Sequence, residues 1–158
     1  MGNRMKKIKY IPIELPDDEV KQKLKVAAYC RVSTKEEQQQ FSLKSQIEYY
    51  TYLINNNFGW KFAGVFFDYG KSGLRKSGRI GLELMLKKVW KGGIDLIITK
   101  SISRFSRNTL DSLILIRELK ERKIYMDFEK ENINSKDENS ELMMDIMCGF
   151  ALRKKAGI

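Results

Sequence analysis

An arginine and a serine, two residues apart, follow the first hydrophobic run of this 158-residue chain. The run LKVAAYC leads directly into Arg31 and Ser33. If the run is a strand that persists to Ser33, the two side chains point to one face, with a guanidinium near a hydroxyl. Such a pair outlines a phosphate site. The alternative interpretation is that Ser33 or Thr34 caps the following helix while Arg31 lies on the surface.

A second basic motif, KSISRFSRN, follows the apolar run IDLIIT. Its Arg104 and Arg107 are three residues apart, so they lie on one side of any helical turn that they adopt. Because the carboxyl ends of parallel strands meet at one edge of a sheet, the two motifs should converge there. Lys100 and Lys71 are candidates for the same region.

Arginines packed around one serine repel each other unless an anion lies between them. A phosphate is the natural occupant, because guanidinium groups bind its oxygens bidentately and remain charged. In the alternative interpretation, each arginine pairs with a carboxylate such as Asp68 or Asp111.

Missing residue types and motifs narrow the chemistry. The chain contains no histidine, which excludes a Ser-His-Asp triad and an imidazole metal site. It also lacks the GxxxxGKS phosphate loop. A two-metal nuclease could enlist Asp68, Asp127 and Glu129, but no clustered carboxylate motif supports one. Metal-free phosphoryl transfer remains, in which a serine attacks phosphorus and arginines stabilise the nonbridging oxygens. The sequence does not identify the proton acceptor.

Composition favours a polyanionic partner and a reducing environment. The formal net charge is +10 and the pI is about 9.6, which is typical of nucleic-acid-binding proteins. Cys30 and Cys148 are far apart in apolar sequence and resemble buried free thiols, which indicates a cytoplasmic protein. No apolar run approaches the roughly 20 residues that span a bilayer.

The elements that must position these residues alternate between strand and helix. Short apolar runs predict four strands, and longer amphipathic runs predict four helices, which together indicate an α/β fold with a mainly parallel sheet of four or five strands and helices on both faces. The predicted strands are 25–32, 60–67, 94–99 and 123–129, and the predicted helices are 41–57, 79–90, 108–123 and 138–155, with Asn108 as a cap. Two polar stretches, 68–78 and 132–140, are predicted to be mobile loops.

Four motifs occur in the same order in the catalytic domain of serine recombinases, the resolvase/invertase family. They are YCRVST, a helix with Gln46, a glycine-serine loop ending in SGRIGL, and KSISRFSRN, and the sequence resembles the family from about Leu24 to Phe150. VAAYCRVST, TKSISRFSRNT and FEKENIN resemble its large branch most closely. This resemblance implies a resolvase-like fold and site-specific recombination of double-stranded DNA. It implies neither metal nor ATP nor another cofactor, because a covalent ester conserves the bond energy.

The resemblance also implies roles for individual residues. Ser33 matches the nucleophile that joins to a DNA 5′ phosphate, and Gln46 matches a polar residue of the first helix. Ser103 stands where many small members have aspartate, so the proton acceptor stays open. The arginines that match positions around or near the scissile phosphate are Arg31, Arg79, Arg104 and Arg107. The lysines and arginine that we expect to contact DNA are Lys71, Arg75, Lys76 and Lys100.

The predicted organisation is an extended arm at 1–23, a catalytic domain at 24–138 and the start of an oligomerisation helix at 139–158. In the family this helix continues further and leads to a DNA-binding domain, so we expect a shortened helix and no DNA-binding domain here. The resemblance implies a homodimer, and a synaptic tetramer for the full-length protein.

The rival hypothesis is a truncated, catalytically silent module that binds DNA or a recombinase. The apolar stripe along this helix is either intramolecular core or an oligomer surface. Its members are Met143, Met144, Ile146, Met147 and Phe150.

Overall fold

A five-stranded sheet forms the centre of the protein. The structure is a computed structural model, which describes residues 22–33, 42–70, 79–105, 109–155 and 157. The spatial order of the strands is β2-β1-β3-β4-β5. Neighbours among the first four pair in parallel, and β5 pairs antiparallel to β4. The strands are β1 (Leu24–Ser33), β2 (Trp60–Gly70), β3 (Leu96–Thr99), β4 (Tyr125–Phe128) and β5 (Ile133–Asn134).

Helices cover both faces of the sheet, as the alternating pattern predicts. The first helix, α1 (Leu43–Asn55), packs on one face, and the others lie towards the opposite face. The remaining helices are α2 (Ile80–Trp90), the short α3 (Ile102–Phe105), α4 (Thr109–Glu121) and α5 (Ser140–Lys155). In the described part of the chain, no helix is long and apolar enough to cross a membrane.

Strand β1 is buried on both faces, which explains why its sequence is almost continuously apolar. Val26, Ala28 and Cys30 belong to the core cluster under α1. Ala27 and Tyr29 belong to the larger cluster under α2, α3 and α4. Because side chains alternate along a strand, position 31 falls on the same face as Tyr29.

The first turn of α2 lies directly against β2. A Cβ atom added to Gly81 would lie 2.0 Å from the carbonyl oxygen of Phe67, a distance that no side chain tolerates. Glycine at this position therefore permits the close approach of helix and strand. The contact fixes the start of α2 beside the carboxyl end of β2.

Both predicted loops are partly ordered secondary structure. Strand β2 continues through Asp68 to Gly70, so the prediction of a loop from residue 68 is wrong at its start, and 71–78 lie outside the described residues. The stretch 132–140 contains β5, and its Ser135 is fully buried and donates a backbone N–H to the carbonyl of Met126. The alternation rule missed β5 because a two-residue strand carries no period.

The apolar stripe of α5 divides between core and surface. Met144 is buried in the core, whereas Met143 and Ile146 are each 47% exposed. The side chains of Met147, Cys148 and Phe150 lie outside the described part. Cys30 is a buried free thiol, as its apolar surroundings predict.

Candidate active site

The first candidate motif lies at the carboxyl end of the central strand. Ser33 is the last residue of β1, and Arg31 is half-buried two positions earlier. Arg31 pairs in register with Asp68 of β2, while Tyr29 pairs with Thr99, the last residue of β3. The ends of β1, β2 and β3 therefore meet at one edge, as expected for a parallel sheet.

Asp68 connects this edge to the start of α2. Its carboxylate accepts hydrogen bonds from the backbone N–H groups of Gly81 and Leu82, at 2.7 and 3.0 Å, and from the Tyr29 hydroxyl at 2.7 Å. A carboxylate at a helix N-terminus satisfies unpaired N–H groups and is favoured by the helix dipole. Asp68 thus holds α2 and β1 together.

Arg79 immediately precedes α2 and reaches the same tyrosine. Its Nη2 donates to the Tyr29 hydroxyl at 3.1 Å and to the carbonyl oxygen of Phe105. The guanidinium carbon lies 5.5 Å from the centre of the Tyr29 ring and 5.8 Å from that of Phe105, which is the distance range of cation–π contacts. Its Nε is buried and has no hydrogen-bond partner among the described residues. The structure therefore anchors Arg79 between β1 and α3.

The second candidate motif forms the turn of α3. The Ser101 hydroxyl accepts from the backbone N–H of Arg104 at 3.2 Å and lies 3.1 Å from the Ser103 hydroxyl. Glu131 accepts from the N–H of Ile102 at 3.3 Å. These contacts fix the backbone that carries Ser103, which is exposed, and Arg104, which is half-buried.

The structure brings Arg31, Arg79 and Arg104 to the same region of the molecule. Arg79 contacts Phe105, the neighbour of Arg104, and Tyr29, which shares a face of β1 with position 31. Arg107 lies outside the described residues, and so do the candidate DNA contacts Lys71, Arg75 and Lys76.

Gln46 and Lys100 lie together, but on the α1 side of the sheet. Both line a cavity of about 540 Å³ with Ser45, Tyr49 and Glu129, among others. Gln46 lies on the first helix, as the resemblance implies, and this helix covers the face of the sheet opposite to Tyr29. Lys100 directly follows β3, at the edge that both faces share.

Two buried ionisable side chains of β1, the Tyr29 phenol and the Cys30 thiol, are neutral at physiological pH. Burial raises the pKa of the Tyr29 hydroxyl to about 12, so this group remains a hydrogen-bond donor to Asp68. Burial, together with the charge of Glu129, raises the pKa of the Cys30 thiol to about 12. Cys30 is therefore an inert core thiol. Among the described residues, no group of three or more acidic or cysteine side chains could hold a metal ion.

Tyr29 and Asp68 are the residues of this site that reasoning from the sequence missed. The sequence alone assigns Tyr29 to the hydrophobic core and makes Asp68 a possible ion-pair partner of an arginine. In the structure, both oxygens of Asp68 accept from Tyr29 and the α2 backbone. The alternation of side chains along β1 could have identified Tyr29 as a residue of the site, because it places Tyr29 and Arg31 on the same face of the strand.

Comparison with known proteins gives one consistent result. Residues 26–158 match the family model described as Resolvase, N terminal domain. The chain is similar to the N-terminal catalytic domain of TP901-1 integrase, with 25% identity and a TM-score of 0.64 over 84% of this chain and 97% of that one. A resolvase family site-specific recombinase from Streptococcus pneumoniae is 28% identical, with a TM-score of 0.64 over 85% of this chain and 90% of that one.

A third structure shares the fold. The C-terminal catalytic domain of ISC1926 TnpA, an IS607-like serine recombinase, has 24% identity and a TM-score of 0.53, over 78% of each chain. With the family match over residues 26–158, the parallel sheet and the arginines at its carboxyl edge, the chain belongs to the resolvase family as a serine recombinase catalytic domain.

Proposed function

We propose that this domain cuts and rejoins double-stranded DNA through a covalent 5′-phosphoserine at Ser33. The observation that carries the proposal is the pair of hydrogen bonds from Arg79 to Tyr29 and Phe105, which joins β1, the strand that bears Arg31 and ends in Ser33, to α3, the helix that bears Arg104. Fixed guanidinium groups favour a phosphate with its charge on the nonbridging oxygens. The net charge of +10 favours the same polyanion.

In the proposed reaction, the Ser33 oxygen attacks phosphorus and the bond from phosphorus to the 3′ oxygen breaks. The serine loses its proton, and the departing 3′ oxygen gains one, so the step needs no external reagent. In the reverse step, a 3′ hydroxyl of a second strand attacks the phosphoserine and restores the serine. Because one phosphate ester replaces another, the exchange requires no ATP.

Each arginine has a different proposed task. Arg31 and Arg104 contact the nonbridging oxygens, and we assign Arg107 the same task from its place in the motif. Arg79 acts differently, because one of its terminal nitrogens is already committed to Tyr29 and Phe105. It holds the α3 turn against β1 and adds positive charge to the site.

The test compares Ser33→Ala with Ser42→Ala, since each variant removes one hydroxyl. Each protein is incubated with a supercoiled plasmid carrying a cognate site, and nicked DNA with attached protein is measured after denaturation. We expect adducts with the parent chain and with Ser42→Ala, which loses only a helix cap, and none with Ser33→Ala. Adducts that survive Ser33→Ala would refute the proposed nucleophile. A parent chain that binds DNA without forming adducts would instead identify a silent binding module.

A further inference from the structure

The FEKENIN motif contains the connection between β4 and β5, and none of its residues has a task in the proposed reaction. Two backbone hydrogen bonds extend the pairing of β3 and β4 beyond both strands, because Glu129 donates its N–H to the Thr99 carbonyl at 3.1 Å and Lys130 donates to the Lys100 carbonyl at 2.8 Å. Asn132 then turns the chain, with a φ of 53° and an N–H that donates to the Glu129 carbonyl at 3.2 Å. Asparagine tolerates this left-handed conformation. The motif thereby runs alongside the segment that leads from β3 into α3.

The side chain of Glu131 contacts the first residue of α3. Its Oε1 accepts from the N–H of Ile102 at 3.3 Å, and the Ser101 hydroxyl accepts from that of Arg104 at 3.2 Å. Both acceptors serve N–H groups that the first turn of a helix cannot pair internally. Helix α3 has only four residues, and a single turn is not stable by itself. Its position, and with it the backbone of Arg104, therefore depends on such contacts.

The second oxygen of Glu131 distinguishes this carboxylate from the other glutamate of the motif. Both oxygens of Glu129 are paired, since they accept from the hydroxyls of Tyr49 and Tyr50 at 2.8 and 2.5 Å. The Oε2 of Glu131 is buried and has no hydrogen-bond partner among the described residues. Most buried polar atoms are paired, because an unpaired one destabilises the folded state. Stability alone does not explain a glutamate at this position, and exceptions of this kind are expected where a residue serves function.

Arg104 is the residue through which Glu131 can influence the proposed reaction. It follows Ile102 by two residues in the same turn, and Arg79 holds the other end of that turn through the carbonyl of Phe105. Glu131 and Arg79 thus fix α3 from its two ends. If the first end is released, the turn can shift, and a displacement of about 1 Å can slow a reaction about a hundredfold.

We propose that Glu131 is a positioning residue for DNA cleavage, which holds the first N–H of α3 and thereby the guanidinium of Arg104. This inference rests on the proposed function, because it takes the attack by Ser33 as the step that Arg104 assists. It assigns to Glu131 a hydrogen bond within the protein and no contact with DNA. Removal of the side chain should therefore slow cleavage without weakening DNA binding. It should change the stability little, because an unpaired buried oxygen is removed together with the hydrogen bond.

The first experiment compares Glu131→Ala and Glu131→Gln with Glu121→Ala, which removes an exposed carboxylate from the end of α4. The rate of adduct formation is measured at saturating DNA, and the dissociation constant for a cognate duplex is measured in a Ser33→Ala background. We expect Glu131→Ala to form adducts about tenfold more slowly, with a dissociation constant close to that of the parent. Glu131→Gln retains an oxygen for the Ile102 N–H, so it should react nearly as fast as the parent. Glu121→Ala should match the parent in both quantities.

The second experiment observes the turn in the free protein and does not depend on cleavage. Amide hydrogen exchange at Ile102, followed by NMR, should be about tenfold faster in Glu131→Ala than in the parent, and unchanged in Glu121→Ala. Urea unfolding of the same variants measures stability. We expect the midpoint of Glu131→Ala to stay close to that of the parent.

Several results would overturn the proposal. Cleavage by Glu131→Ala at the parent rate, or unchanged exchange at Ile102, would show that the bond does not position α3. Glu131→Gln as slow as Glu131→Ala would assign the effect to charge instead of the hydrogen bond, and a large loss of stability in Glu131→Ala would show a purely structural role. Failure of the Ser33 chemistry would appear separately, as adducts that survive Ser33→Ala.

Discussion

At the scale of single residues, the Tyr29 hydroxyl is the connection between three elements. It donates to Asp68 of β2 and accepts from Arg79, which also holds the carbonyl of Phe105 in α3. The arginine is thereby fixed before any DNA binds. Preorganised charge of this kind lowers a reaction barrier because no reorganisation is needed during the reaction.

Tyr29→Phe should separate this connection from the core packing of the ring. We expect the free energy of unfolding to fall by about 1–2 kcal/mol, because Arg79 and Asp68 each lose a partner. Adduct formation should slow by about tenfold as the guanidinium loses its fixed position. Urea unfolding and the rate of adduct formation measure the two effects. Tyr69→Phe is the control, since its side chain is 47% exposed, and equal effects from both variants would contradict the assigned role.

The places of the motif residues in the fold were predictable from the sequence, whereas the contacts that support them were not. Arg31 and Ser33 stand at the end of an apolar run, and Arg104 stands after another, so strand topology alone predicts their convergence. Tyr29 and Asp68 are 39 residues apart, and their contact depends on the register of β1 against β2. The register of β1 against β2 shifts at a bulge between Val26 and Ala27, and no hydrophobic periodicity in the sequence indicates this shift.

At the scale of elements, the close contact between α2 and β2 depends on Gly81, which has no side chain. Helix propensity alone predicts that Gly81→Ala stabilises the protein by about 1 kcal/mol. The structure predicts the opposite sign, because the new methyl group would lie 2.0 Å from the Phe67 carbonyl oxygen. We expect a loss of about 1–3 kcal/mol in the free energy of unfolding.

Thermal or urea unfolding of Gly81→Ala measures that loss. Gly59→Ala is the matched control, because the nearest atom to its added methyl group is 3.5 Å away, an ordinary contact distance. A Gly81→Ala protein as stable as the parent would show that α2 can move away from β2 at little cost. The helix start would then not be a fixed support of the site.

At the scale of the whole molecule, buried groups that stay protonated link stability to pH. The Cys30 thiol has a pKa raised from 9.0 to about 12 by burial and by Glu129, and burial raises that of Tyr29 from 10.0 to about 12. In the folded state both bind their protons more tightly than in the unfolded state. Their contribution to stability is therefore complete below about pH 9 and is lost as the pH rises towards 12.

We expect the free energy of unfolding to decrease between pH 9 and pH 12, by up to about 1.4 kcal/mol per pH unit for each such group. Urea unfolding at a series of pH values measures the slope. Cys30→Ala removes one titrating group, so its slope should be shallower even though its stability at pH 7 is lower. Parallel curves for Cys30→Ala and the parent would show that Cys30 does not contribute to the alkaline loss.

The hydrogen bonds of Asp68 and Arg79 also restrict how this domain can be recombined with its relatives in protein engineering. The bonds join β1, β2, the start of α2 and α3, so a chimera that takes α2 from one parent and β2 from another brings together an aspartate and a helix start that did not evolve as a pair. The Gly81 contact adds a steric condition at the same junction. Productive crossover points should therefore lie outside 68–82, and a library that exchanges 29–105 as one block should yield more folded proteins than one that divides it.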